Sequence, residues 1–311
     1  MLSSTLFLVL GLGLLWGGSE LLVRGSSRLA LSMGVRPILV GLTVVAMGTS
    51  SPELAVSLTA ALQETKAISL GNIVGSNIAN IGLVVGVCAL IRPLQIQRST
   101  LRNEVPIMVL AVLLFSYMSW DGMISFFDGL VLFIFFLIFL ILIWKLAQKD
   151  RRKAREWSIE ETYQGKLLLD IIFIILGLGS LIGGAVLIVE SAVVIAEALG
   201  VSEAVIAISM VAVGTSLPEL AISAVGSARK ESDLAIGNAV GSNIFNTLFV
   251  IAIVAMVTPI PVNRELFHFQ FPAMIFFTLI AVPMMWTRFR MTRLEGLLLL
   301  ILYGVFIALL F

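Results

Sequence analysis

Gly48-Thr49-Ser50-Ser51-Pro52-Glu53 lies in the middle of an apolar segment running from Pro37 to Leu62. A carboxylate at that depth costs several kcal/mol unless it is compensated, so an intramembrane acid reads as functional. Gly48 and Pro52 discourage a continuous helix across it. Broken backbone at membrane depth is stable only where it lines a cavity or is buried in protein. The motif then returns 166 residues later as Gly214-Thr215-Ser216-Leu217-Pro218-Glu219, and across 48–57 and 214–223 eight of ten positions are identical.

The repetition extends far beyond the motif. Segments 11–120 and 177–286 align without a gap, Pro93 meeting Pro259, Pro106 meeting Pro272 and Trp120 meeting Trp286. Gly11, Gly13, Gly17 and Gly18 recur as Gly177, Gly179, Gly183 and Gly184. A cleaved leader would not be copied inside the mature chain, so the first span, which could pass for a signal peptide, is expected to be retained.

The 311 residues are 59% hydrophobic and 13% charged, and the mean hydropathy is +1.09. That is more apolar surface than a water-soluble domain can bury, which points to an all-α, polytopic membrane protein. A net charge of +1 gives no reason to expect nucleic acid. Cys88 is the single cysteine, which excludes an internal disulfide and a thiolate metal site; it reads as a small residue in a buried helix. Apolar runs predict ten spans, at 4–31, 37–62, 68–91, 101–119, 125–147, 167–198, 203–228, 234–258, 266–286 and 294–311. They divide into an N-terminal five-helix repeat (1–147), a solvated linker (148–166) and a C-terminal five-helix repeat (167–311).

Orientation follows from the basic residues. With the linker cytoplasmic, all but two of the 20 Lys and Arg residues fall on the cytoplasmic side, the exceptions being Lys66 and Arg264. Both termini are then outside. Five spans per half is an odd number, so the halves insert with opposite orientation. Inverted repeats of this kind characterise secondary transporters with a midplane site built from discontinuous helices, here the second and the seventh.

A second motif is also doubled. Gly71-Asn72-Ile73-Val74-Gly75-Ser76-Asn77-Ile78-Ala79-Asn80 matches Gly237-Asn238-Ala239-Val240-Gly241-Ser242-Asn243-Ile244-Phe245-Asn246 at eight of ten positions. Ser76 and Asn80 share a helix face, as do Ser242 and Asn246. Asn72, Asn77, Asn238 and Asn243 are expected to satisfy freed backbone groups rather than to touch a ligand. The two motifs together supply two carboxylates, several hydroxyls, amide oxygens and carbonyls released at the breaks, with no His, Cys or fixed cation. All-oxygen ligation suits a hard cation: Ca²⁺, Na⁺ or, less well because it dehydrates reluctantly, Mg²⁺. Two carboxylates balance one Ca²⁺ or two Na⁺.

These paired motifs resemble the two alpha repeats of the cation/calcium antiporter superfamily, in its sodium/calcium exchanger branch, and the resemblance covers almost the whole chain. It implies a core of the second, third, seventh and eighth helices. It also implies that Glu53 and Glu219 bind Ca²⁺ and share in Na⁺ binding. Further oxygens would come from Thr49, Ser50, Thr215, Ser216, Ser76, Ser242, Asn80, Asn246 and the carbonyls of Ala46 and Ala212. Some members carry Asp where Asn246 stands, so the resemblance gives no reason to expect potassium co-transport. Neutral residues around Ser76 and Ser242 favour sodium over proton coupling. The expected activity is Na⁺/Ca²⁺ antiport across a cell membrane by alternating access, with no organic cofactor and no obligate protein partner. A proton-coupled Ca²⁺ antiporter on the same fold is the nearest alternative. A cation channel would build its pore from an oligomeric ring, and an intramembrane enzyme would need a catalytic dyad, a His cluster or an Asp-rich lipid-phosphate motif, none of which is present.

Overall fold

The structure, a computed structural model, describes residues 2–63, 66–156, 167–198, 214–264 and 266–310. Ala212 and the first part of the predicted seventh span lie outside the described residues. The helices are α1 (Leu2–Met33), α2 (Pro37–Thr49), α3 (Ser51–Leu62), α4 (Ile68–Ile91), α5 (Arg98–Met118) and α6 (Phe126–Glu156). The second half adds α7 (Leu167–Ala198), α8 (Leu217–Ala228), α9 (Ser232–Val257), α10 (Phe271–Trp286) and α11 (Arg293–Leu310). Eight described helical spans are long and apolar enough to cross a membrane, and α2 with α3 makes a ninth, bent by 41°. The protein is a multi-pass membrane protein.

Local chemistry places the breaks. α1 stops at Gly34, whose φ of +62° suits a residue without a Cβ, and the Val35 N–H closes the end by bonding to the Ala30 carbonyl. α2 opens on Pro37, which needs no amide partner in a first turn. It ends at Ser50 (φ −82°, ψ 5°), and Pro52 sits in the first turn of α3. The equivalent Ser216 (φ −87°, ψ 0°) precedes α8 in the same way. Wide π-helical turns interrupt α2 at Gly41–Val45, α4 at Asn80–Val85 and α9 at Asn246–Val250; another, Leu266–Gln270, leads into α10.

α4 and α9 are the inner helices. Their apolar windows are 78% buried, against 22–39% for the other single-helix spans. Outward-facing Trp16, Phe127, Leu168 and Leu294 stay exposed, as lipid-facing side chains do. α9 runs close along α2. A Cβ at Gly237 would stand 2.7 Å from the Ile38 carbonyl oxygen, and one at Gly241 would stand 2.7 Å from Leu42 Cα. Small residues let these backbones touch.

α1 and α7 form a second close pair, and they run antiparallel. Cβ atoms built at Gly11 and Gly18 would lie 2.9 and 2.8 Å from the carbonyl oxygens of Gly184 and Gly177. Two short ribbons join the halves: β1 (Leu94–Gln95) pairs with β4 (Arg290–Met291), and β2 (Met123–Ile124) pairs with β3 (Ile260–Pro261). They are the only strands among the described residues and do not alter the all-α class.

α6 continues nine residues past the expected end of the fifth span, through Glu156. Tertiary ties hold that extension. Asp150 accepts a 2.8 Å bond from Arg36 Nε, and Arg151 Nε donates to the Met33 carbonyl at 2.6 Å.

Candidate cation site

Glu53 sits in the first turn of α3 and Glu219 in the first turn of α8, each starting just past a backbone break. A helix N-terminus favours a negative charge there. Both side chains are fully buried, and they lie within electrostatic reach of each other. Every other predicted ligand among the described residues is buried too: Ala46, Thr49, Ser50, Ser76, Asn80, Thr215, Ser216, Ser242 and Asn246. No Lys, Arg or His is among the buried residues described.

Most of the hydrogen bonds cross between halves. Ser50 Oγ donates to Glu219 Oε1 at 3.2 Å, and Ser242 Oγ reaches the same oxygen at 3.5 Å. Thr215 Oγ1 donates to Asn72 Oδ1 and Thr49 Oγ1 to Asn238 Oδ1, both at 3.1 Å. Ser76 Oγ lies 3.4 Å from Thr215 Oγ1. Asn80 Nδ2 donates to Asn243 Oδ1 at 3.0 Å, and Asn243 Nδ2 donates to the Asn77 carbonyl at 3.2 Å. The Ala46 carbonyl accepts the Ser50 N–H at 2.9 Å and lies 3.4 Å from Thr49 Oγ1, which donates to it as well.

Several buried polar atoms have no hydrogen-bond partner: both oxygens of Glu53, Oε2 of Glu219, Oγ of Ser216, Oδ1 of Asn80 and both amide atoms of Asn246. Buried polar groups are rarely left so. All but one are oxygens, which a hard cation could satisfy together. Among the described residues there is no cluster of three or more His, Cys, Asp or Glu of the kind that holds a transition metal.

Asn72, Asn238 and Asn243 reach backbone carbonyls with their side-chain amides, whereas Asn77 reaches only a sulfur and its Oδ1 has no partner. Asn72 Nδ2 reaches the Glu53 carbonyl and Asn238 Nδ2 the Glu219 carbonyl, each at 3.4 Å, next to the break. Asn77 and Asn243 point their amides at Met274 and Met108 sulfurs, at 3.7 and 4.0 Å.

Two groups are new relative to the sequence reading. Ser57 and Ser223, one turn beyond the acids, accept from Asn72 and Asn238 at 2.9 Å; both lie inside the repeated motif, where the signal was available. A separate network gathers at the start of α2. Arg36 binds Ser99 at 2.6 Å, the buried Glu104 of α5 at 3.2 Å and Asp150. Nearby, Gln97 donates to Asp233. Glu104 is, like Glu53, an acid inside an apolar span, but its counterpart is Gln270, so the repeat does not mark it.

Comparison with known proteins places these features in context. The family model described as sodium/calcium exchanger protein matches residues 3–145 and again 169–311. The inner membrane protein YrbG of Escherichia coli is 35% identical, over 93% of this chain and 90% of its own length. Sodium/calcium exchanger MaX1 of Methanosarcina acetivorans is 31% identical over 98% of both chains. A solved structure of the sodium-calcium exchanger NCX_Mj superposes with a TM-score of 0.86 at 32% identity, covering 99% of each chain.

Proposed function

This chain belongs to the sodium/calcium exchanger protein family, and from that premise we propose that it exchanges Na⁺ for Ca²⁺ by alternating access. The observation that carries the reading is the pair Glu53 and Glu219: one acid from each half, fully buried, with three of their four oxygens unpartnered and no cation of the protein beside them. Two carboxylates compensate one Ca²⁺ or two Na⁺, so the two cargoes compete for overlapping oxygens and cross in turn. Hydroxyls of Thr49, Ser50, Thr215, Ser216, Ser76 and Ser242, the amide oxygens of Asn80 and Asn246 and the carbonyls of Ala46 and Ala212 complete the ligand set. Asn246 replaces a possible third acid with a neutral amide. If more than two Na⁺ exchange for one Ca²⁺, each cycle moves net charge, at about 2.3 kcal/mol per charge per 100 mV.

The architecture in this reading is ten spans in two inverted five-helix repeats, 1–147 and 167–311, joined by the cytoplasmic segment 148–166, with both termini outside a cell membrane. The antiparallel packing of α1 on α7 supports the inversion, since Gly11 and Gly18 of one recur as Gly177 and Gly184 of the other. So does the exchange of hydrogen bonds between Thr49–Asn238 and Thr215–Asn72. No organic cofactor and no obligate protein partner enters the cycle.

The test is ⁴⁵Ca²⁺ uptake into sealed proteoliposomes with Na⁺, K⁺ and H⁺ gradients imposed separately. Uptake driven by outward Na⁺ with the pH gradient collapsed is the expected result. Uptake that follows only the H⁺ gradient would replace this reading with proton coupling on the same fold.

A further inference from the structure

Asn72 and Asn238 are buried and uncharged, and ion ligation as described above gives them no role. Each makes the same three contacts. Asn72 Nδ2 donates to Ser57 Oγ at 2.9 Å and to the Glu53 carbonyl at 3.4 Å, while its Oδ1 accepts the Thr215 hydroxyl at 3.1 Å. Asn238 repeats those distances with Ser223, the Glu219 carbonyl and Thr49. The amide always belongs to one half and the threonine to the other.

These contacts fix which way each amide faces. A carbonyl oxygen can only accept, so the nitrogen must turn to Glu53 or Glu219 and the oxygen is left for the threonine. A hydroxyl carries one hydrogen and two lone pairs. Once Thr215 gives its hydrogen to Asn72, only lone pairs remain to face the site. Thr215 also faces Glu53. Ser76, 3.4 Å from Thr215 Oγ1, must then be the donor of that pair.

We propose that Asn72 and Asn238 are positioning residues for ion binding. Each accepts the hydroxyl proton of the opposite half's threonine, Thr215 or Thr49, so that the threonine oxygen faces the site with its lone pairs and can ligate a cation. The assignment rests on the exchange reading above, and it makes the ligands of each half depend on an amide of the other.

A double-mutant cycle tests it. Initial ⁴⁵Ca²⁺ uptake is measured against external Ca²⁺ in Na⁺-loaded proteoliposomes for Asn72→Ala, Thr215→Val, their double, and Asn72→Ala combined with Thr49→Val. Asn72→Ala should raise the half-saturating Ca²⁺ about tenfold while the maximal rate changes by less than about twofold. The Asn72→Ala/Thr215→Val double should be no weaker than the worse single. The pairing with Thr49→Val, whose partner is Asn238, should multiply to about a hundredfold. Multiplying effects for Asn72 with Thr215, or a loss confined to maximal rate, would overturn the proposal. The mirror set, Asn238→Ala with Thr49→Val, carries the same test if Asn72→Ala is not recovered folded. Equilibrium ⁴⁵Ca²⁺ binding to the purified full chain separates the two failures. A wild type that binds Ca²⁺ without countertransport sinks the exchange reading and leaves the cycle to be read on binding. A wild type that exchanges, with independent Asn72 and Thr215 effects, sinks only the positioning role.

Discussion

Glu20 on α1 forms an ion pair with Arg229, the residue that ends α8, and the other half does not reproduce it. The positions 166 residues away are Val186 and Gln63. Glu20 also holds Arg24 at 2.7 Å. α1 therefore lies along α8 under a polar tie, whereas α7 makes no comparable approach to α3 among the described residues.

If α1 separates from α8 when the basic-residue side opens, the Glu20 tie biases the chain against that state. Glu20→Gln or Arg229→Gln should change the ratio of apparent Ca²⁺ affinities at the two faces by up to about fivefold, because the pair is partly exposed. The double should be no worse than either single. Flux in right-side-out and inside-out vesicles reads the ratio, and an unchanged ratio would mean that the tie carries no bias.

Neutralising either acid should separate transport from stability. Glu53→Gln and Glu219→Gln should each lower Na⁺-driven Ca²⁺ uptake by at least about thirtyfold, since one partner of a buried charge interaction is lost. Each variant also removes a buried acid with unpartnered oxygens. In ion-free detergent both should melt at or above the wild-type temperature. A lower melting temperature with transport intact would show that the acids serve the fold instead.

Gly18 should not tolerate a methyl group. Its added Cβ would meet the Gly177 carbonyl and Ser180 Cβ at 2.8 Å, and backbone cannot turn aside. Gly18→Ala should cost about 1–3 kcal/mol and slow transport. Gly17, with nothing described within 4 Å, should accept alanine with little change. Thermal melting and uptake of the two variants, side by side, decide the point.

Arg36 should matter through Glu104. The Glu104 side chain is fully buried and Arg36 is 19% exposed, so removing the guanidinium strands a carboxylate in the interior. Arg36→Ala should destabilise the protein by about 3–5 kcal/mol, more than Glu104→Gln does. Equal melting temperatures for the two variants would refute a charge-based role.

The Glu53 and Glu219 motifs, their doubling and the neutrality of Asn246 were legible because each is a local departure from an apolar background. Glu104 carries the same local signal, but it lacks a repeated partner and its meaning depends on Arg36, some 68 residues away. The π-helical turns at Gly41, Asn80 and Asn246 have no distinctive composition. The extension of α6 to Glu156 was hidden for a related reason. Charged, helix-forming residues such as Asp150 and Arg151 read as solvated until their contacts with Arg36 and Met33 are seen.

What the sequence by itself determined is the class of molecule and its chemistry. Hydropathy demands lipid, a buried acid demands a cation or a proton, and a 166-residue repeat demands two related halves. Periodicity speaks only of neighbours on one helix. Only the tertiary structure decided which Asn meets which Thr, that Ser50 of one half serves Glu219 of the other, and that α1 leans on α8 without a symmetric counterpart. Those choices depend on how close two backbones can come, and that is set by packing between segments far apart in the chain.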